Sequence, residues 1–328
     1  MASLNRRDFL KITAIAGGGL AVATLAGKRF FAGSVTLEET RHLMGTLIHL
    51  KVISADEDSA REAIAATFGE MERLIQVFDH RSSTSELGQL NAKGQLANAS
   101  VEMREVIEAA LGISQATDGA FDVTVKPLLD AYRAGSVPSE SLKALVGYEK
   151  VKLGSRSIAL SQAGMAITLD GIAKGYIVDK ATAVLDKLGF RNVFVEAGGD
   201  LMASGDKGEA DEWTIAVAHP RPEMLEGYLA AFSLSNSAAA TSGDYLNSFS
   251  EDLQLHHILD PQLGVSPPEL ASVTTIADSA IKADALSTAF MVSGIDRSLA
   301  LAKKMENVEV LLVSKSLEVL RSSGFPKA

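Results

Sequence analysis

The sequence predicts a mixed α+β fold, with largely antiparallel sheets packed against helices in one large domain, and three observations carry that prediction. Helical and strand periods alternate irregularly along the 328 residues, so there is no strict strand–helix–strand rhythm. Short strand-like runs crowd the second half of the chain. No segment recurs at a period of roughly 20–50 residues, which removes solenoids and propellers.

The elements follow in order. A strand is expected over 43–53, where Ile48, Leu50 and Val52 alternate at period two. From Asp56 onward, Ala60, Ala63, Ile64, Thr67, Phe68, Met71, Leu74, Ile75 and Phe78 recur at helical spacing, which makes an amphipathic helix. A second helix fits 100–117, with Val106, Ile107, Ala110 and Leu111 inward and Gly119 just past its end. A third fits 172–188 and is stopped by Gly189. Strands are then expected at 192–196, 213–218, 229–234, 256–259 and 272–277. Helices near 283–292 and 297–304 and strands near 308–313 and 317–320 close the chain.

Composition narrows the chemistry. With no cysteine there is no disulfide framework, thiolate metal site, iron–sulfur cluster or cysteine nucleophile, so any metal must sit on oxygen or imidazole. His42, His49, His80 and His219 show no metal-ligand spacing. A net charge of −10 argues against nucleic acid as a partner, because such proteins carry a basic face. A bound phosphate would need backbone amides, a lone cation or a divalent metal.

The first 33 residues stand apart. Asn5-Arg6-Arg7-Asp8-Phe9-Leu10-Lys11 precedes an apolar, Gly/Ala-rich run over 12–26, the pattern of a twin-arginine export signal. That run is shorter than the roughly 20 residues a spanning helix needs. Cleavage is not clean at Lys28-Arg29-Phe30-Phe31-Ala32, so an uncleaved membrane anchor stays open. This segment holds five basic and one acidic side chain, a net +4, which leaves the remainder at −14. The chain therefore divides into a signal or anchor (1–33) and a functional domain (34–328), with a periplasmic location expected.

Chemistry is expected where Gly, Asp, Thr and His gather at element ends. Asp284 and Thr288 are four apart on a predicted helix, so a carboxylate and a hydroxyl project from one face. Two hard oxygens at that spacing suit Mg²⁺, or else form a side-chain hydrogen bond on an exposed face. Asp170-Gly171-Ile172-Ala173-Lys174-Gly175 reads as a turn opening a helix. It offers amides and a lysine to a phosphate, or simply a helix start capped by Asp170 with Lys174 in solvent. It is not a Walker loop, because the required glycine and lysine spacing is absent. Gly198-Gly199-Asp200 serves either as a site or as a hairpin turn. His257, ahead of Asp260-Pro261, is the best-suited general base on residue chemistry, against a structural hydrogen-bonding role. Trp213 is read as core in preference to a cofactor-stacking surface.

Taken in order, the clusters Met44-Gly45-Thr46, Ala120-Phe121-Asp122, Leu169-Asp170-Gly171-Ile172-Ala173-Lys174-Gly175, Glu196 to Asp200, Thr241 to Tyr245, His257-Ile258 and Asp284 to Thr288 resemble the ApbE family. Ser85-Glu86-Leu87 with Leu90-Asn91 adds a further match, and Phe78-Asp79-His80-Arg81 is similar to the nitrous-oxide-reductase accessory branch. The resemblance implies an ApbE-like, T-fold-related domain that moves FMN from FAD to a protein threonine or serine. It implies FAD contacts at Met44, Arg81, Ala120, Phe121, Asp122, Thr168, Asp170, Lys174, His257 and Ile258. A Mg²⁺ site is implied at Gly171, Asp284 and Thr288, with His257 and Asp284 catalytic. Two departures stand out. Arg81 occupies a place where the family has an aromatic residue, and Thr168-Leu169-Asp170-Gly171 shifts the family's acidic side chain by two positions. The expected partner is a flavin-accepting protein, a membrane-associated redox subunit. An FAD-binding carrier and a Mg²⁺-dependent FAD pyrophosphatase are the alternatives. A nicotinamide oxidoreductase is disfavoured because no Gly-x-Gly-x-x-Gly follows a strand.

Overall fold

Strand after strand pairs antiparallel to build the centre of the molecule. The computed structural model describes residues 33–207, 211–221 and 228–326. The twin-arginine segment lies outside the described residues, apart from Gly33. An eight-stranded sheet has the order β1-β2-β6-β7-β10-β11-β12-β13. Its strands are β1 (Val35–Leu43), β2 (Thr46–Ser54), β6 (Val193–Ala197), β7 (Asp200–Ser204), β10 (Ser237–Gly243), β11 (Leu270–Ala277), β12 (Glu309–Ser314) and β13 (Val319–Arg321). A three-stranded sheet is formed by β3 (Gln95–Leu96), β4 (Val151–Leu153) and β5 (Ile158–Leu160), and a ribbon by β8 (Trp213–Ala218) and β9 (Tyr228–Leu234).

Alternation along the central strands shows why both faces of the sheet are covered. On β10, Ala238 and Ala240 pack in the large helix-side core, whereas Ala239 packs with the ribbon residues Trp213, Ile215 and Phe232. On β12, Leu312 and Leu311 divide in the same way between two clusters. Period two makes this obligatory, because successive side chains point to opposite faces. Trp213 is core: it is 6% exposed, its ring lies 5.5 Å from that of Phe194, and its Nε1 donates to the Ser204 carbonyl at 3.0 Å.

The helices are α1 (Glu57–Phe78), α2 (Glu86–Lys93), α3 (Val101–Ala116), α4 (Lys126–Arg133), α5 (Glu140–Lys143), α6 (Ala173–Lys187) and α7 (Ala280–Ala302). Each of the first three starts at a side-chain cap. Asp56, Ser85 and Ser100 accept from the amides of Ser59, Gly88 and Met103 respectively. α7 covers both predicted C-terminal helices, and its helical geometry breaks at Gly294 (φ 73°, ψ −176°), between the two expected segments.

Several expectations are corrected. The strand expected over 43–53 forms as β2 but starts at Thr46, because Met44 (φ 54°) and Gly45 (φ 73°) turn the chain back from β1 between Leu43 and Thr46. β1, β7 and β10 were not expected. β10 reads SAAATSG, a poor strand composition that is explained by the close approach of α7 to small side chains. No strand forms over 256–259; His256 makes one isolated bridge with Ser248. Both edges of β10 and of β11 already have partners, so a further strand has no edge there to join.

Candidate functional site

Two helix starts and two hairpin tips meet at one end of the central sheet. Gly171 lies in the turn before α6, and a Cβ built on it would stand 2.8 Å from Thr288 Oγ1 of α7 and 3.4 Å from the Phe121 ring. The sequence positions Gly171, Phe121 and Thr288 therefore converge. Thr288 Oγ1 also lies 3.3 Å from Ser242 Oγ, which pairs at 2.7 Å with Ser287 Oγ. Asp284, one turn before Thr288, is 3% exposed, and its Oδ2 accepts from the Gly175 amide of α6 at 3.0 Å.

Lys174, in the first turn of α6, is ion-paired with Asp200, which is 1% exposed at the start of β7. Lys174 is thus not simply in solvent. Burial alone would lower its pKa, but the charges of Asp200 and Asp284 outweigh burial and raise it. Asp284 is pushed up to about 7 by burial and then by the neighbouring charge of Asp200, with Lys174 opposing. Burial raises Asp200 as well, so the two neighbouring carboxylates resist being charged together, and the Lys174 cation opposes that in both.

Hairpin tips wall this end. Ala197 pairs with Asp200, leaving Gly198 (φ 60°) and Gly199 (φ 98°) as a two-residue turn. A Cβ on Gly198 would overlap the Thr46 side chain beside the Met44-Gly45 tip, so the two turns abut. Met44 holds a positive φ without being glycine, a strained backbone of the kind that concentrates at functional sites. Glu196 Oε1 accepts from the Gly199 amide at 2.7 Å.

His257 enters from the irregular segment before β11. Burial lowers its imidazole to about 4, with Asp170 pulling upward and Lys174 and Arg133 downward. Two of those charges, Asp170 and Lys174, belong to the turn and first residues of α6, and Arg133 ends α4. Its Nδ1 is buried and lacks a hydrogen-bond partner. Ile258 turns away into an apolar cluster with Leu270, Leu286 and Phe290.

Three expected contacts are arranged differently from their sequence reading. Arg81 pairs with Asp79, and its side chain is 76% exposed, so it does not join the cluster. His80, one residue earlier, approaches Asp170 at 3.9 Å instead. Asp170 also faces Arg133 at 3.5 Å, while Thr168 Oγ1 accepts the Asp170 amide at 3.2 Å. Asp122 is buried and committed to its own loop: it accepts from the Thr124 amide and hydroxyl (2.8 and 2.6 Å) and the Tyr148 amide (2.8 Å). Ala120 and Phe121 are buried beside it.

Among the described residues, no group of three or more His, Asp and Glu side chains could hold a metal. The oxygen groups gathered here are of another kind, namely the carboxylates of Asp284 and Asp200 and the hydroxyls of Thr288 and Ser242, with the Gly171 backbone beside Thr288. Two crowded buried carboxylates with hard neutral oxygens suit a divalent cation such as Mg²⁺, which would offset the burial and the Asp200 charge that raise Asp284. Sequence reading gives Asp200 and Ser242 no individual role in the site. Both lie in Gly-rich clusters it had marked, but nothing local linked them to Lys174 or Thr288.

Residues 44–312 match the model of the ApbE family. This chain belongs to the ApbE family. Among ApbE relatives, the FAD:protein FMN transferase of Haemophilus influenzae is 31% identical over 298 residues, covering 83% of this chain and 85% of that one. That of Vibrio cholerae is 28% identical, covering 90% and 93%. The ApbE protein of Thermotoga maritima superposes with a TM-score of 0.81 at 32% identity, covering 88% of this chain and 98% of that one. The apo flavinyl transferase ApbE of Pseudomonas stutzeri gives 0.78 at 28%, covering 89% and 96%. The expected α+β fold is thus the ApbE fold.

Proposed function

We propose that this ApbE chain is an FAD:protein FMN transferase that moves FMN from FAD to a threonine or serine hydroxyl of an acceptor protein and releases AMP, with Mg²⁺ as cofactor. Family membership and relatives bearing that activity support the transferase reading. The metal part rests on one observation, the convergence of Gly171, Asp284 and Thr288 from two elements more than a hundred residues apart in sequence.

The residues divide the work by chemistry. Gly171, Asp284 and Thr288 would hold Mg²⁺, which when bound supplies charge neutralisation on the pyrophosphate and the departing AMP. Lys174 holds Asp200 and adds a cation at the amide-rich start of α6, where a phosphate is favoured. Met44, half-buried at the β1–β2 tip, offers apolar surface to the flavin, and the buried Phe121 ring backs the Gly171 turn. His257, uncharged at neutral pH, accepts the proton of the acceptor hydroxyl as that oxygen bonds to the FMN phosphorus. The bond from that phosphorus to the AMP oxygen breaks, and AMP leaves with its electron pair.

The twin-arginine segment supports periplasmic work, with an N-terminal membrane anchor if uncleaved and a membrane-associated redox subunit as acceptor. Among the described residues no helix is long and apolar enough to cross a membrane. Incubation of the purified chain with FAD, Mg²⁺ and a hydroxyl-bearing acceptor tests the reading by mass spectrometry. An acceptor heavier by one FMN residue supports it. Free FMN with an unmodified acceptor would instead identify a pyrophosphatase, and intact FAD a carrier.

A further inference from the structure

The α6–α7 contact contains a second carboxylate outside the site just described. Asp179, on α6, accepts from the amides of Ala280 and Ile281 at 2.8 and 2.9 Å, the first two residues of α7. These are unpaired amides of a helix start, and no side chain of the preceding residue, Ser279, caps them. In the opposite direction, Asp284 of α7 accepts from the Gly175 amide in the first turn of α6. Each helix therefore caps the other's N-terminus with an aspartate. Gly175 makes the approach feasible, since a Cβ there would overlap the Ala280 carbonyl.

We propose that Asp179 is a positioning residue for the metal site: by pinning the first turn of α7 to α6 it sets the spacing between Gly171, before α6, and Asp284 and Thr288, on α7. It is not among the residues assigned above to FAD or the metal, and both of its carboxylate oxygens are taken by the α7 amides. The inference rests on the Mg²⁺ reading above. Its physical basis is that the three donors come from two helices, so their separation is only as well defined as the helix–helix contact. Asp179 supplies two of that contact's hydrogen bonds, and neither depends on Asp284. Asparagine at this position keeps one acceptor and turns an amide donor toward a backbone N–H.

The test compares Asp179→Asn, Asp179→Ala and a control, Leu185→Ala, which opens a cavity at a fully buried position farther along α6. Mg²⁺ is titrated alone, by its effect on thermal stability, and hydrogen exchange of the Gly175 amide is followed in metal-free protein. Asp179→Asn should raise the half-saturating Mg²⁺ concentration about tenfold and speed Gly175 exchange, with Asp179→Ala stronger in both. Leu185→Ala should lower Tm and move neither. Wild-type Mg²⁺ response and Gly175 exchange in Asp179→Asn overturn the proposal, as does an equal shift in Leu185→Ala. A wild-type chain that ignores Mg²⁺ defeats the metal reading instead, and Gly175 exchange in Asp179→Asn then still decides whether Asp179 holds Asp284 in place.

Discussion

Asp284 on α7 accepts the backbone amide of Gly175 on α6 at 3.0 Å, although the two residues are 109 positions apart in sequence. That bond holds one carboxylate oxygen, Oδ2, so the aspartate is oriented before any ligand arrives. Replacing Asp284 by alanine removes the charge and orphans the Gly175 amide. Transfer should fall by about two orders of magnitude or more, while FAD binding persists, as read by flavin fluorescence beside the mass assay.

Proton linkage at the same aspartate gives a pH prediction. Metal-free Asp284 is raised to about 7, so below that pH a cation must displace a proton to bind. Mg²⁺ affinity should therefore fall about tenfold per pH unit as pH drops below 7 and level off above it. Calorimetry in buffers of different ionisation enthalpy should show proton release at pH 6 and little at pH 8. The sign for folding is the reverse of the usual carboxylate case. A raised pKa means that metal-free protein is stabilised by protonation, so this group's contribution declines as pH rises from about 4 to 7.

His257 is held at about 4, which leaves it neutral and able to accept a proton across the neutral range. His257→Ala should reduce kcat by about 10²–10⁴-fold with a much smaller effect on FAD affinity. The wild-type rate should show no histidine titration between pH 6 and 8 at saturating Mg²⁺. A wild-type inflection near 6.5 that disappears in the variant would contradict the neutral, buried imidazole.

Gly175→Ala tests the helix contact by overpacking. The added methyl meets the Ala280 backbone carbonyl, which cannot rotate away as a side chain would. A loss of about 1–3 kcal/mol is expected, measured by chemical denaturation, together with weakened Mg²⁺ binding.

Arg81 and His80, adjacent in sequence, face different surroundings. Arg81→Ala should leave FAD affinity within about twofold, since its side chain is solvent-facing and tied to Asp79. His80→Ala, which loses its approach to Asp170, should have the larger effect on FAD titrations.

Residue spacing by itself determined what is local in this protein. The period of 3.6 placed α1, α3 and α6 within a residue or two, and the i, i+4 spacing of Asp284 and Thr288 put two hard oxygens on one helical face. Family motifs then named the chemistry. Only the tertiary structure decided which residues meet. Lys174 finds Asp200 because β6 and β7 bring the Gly198-Gly199 turn to the start of α6, and Asp179 finds α7 because the two helices lie side by side on one face of the sheet. The same packing commits Asp122 to its own loop and turns His80, not Arg81, toward Asp170. The physical reason is the range of the interaction. Helical period and caps act over a few residues and are written in the order of the chain, whereas carboxylate, lysine and helix-start amides from distant segments acquire partners only after the sheet order is set.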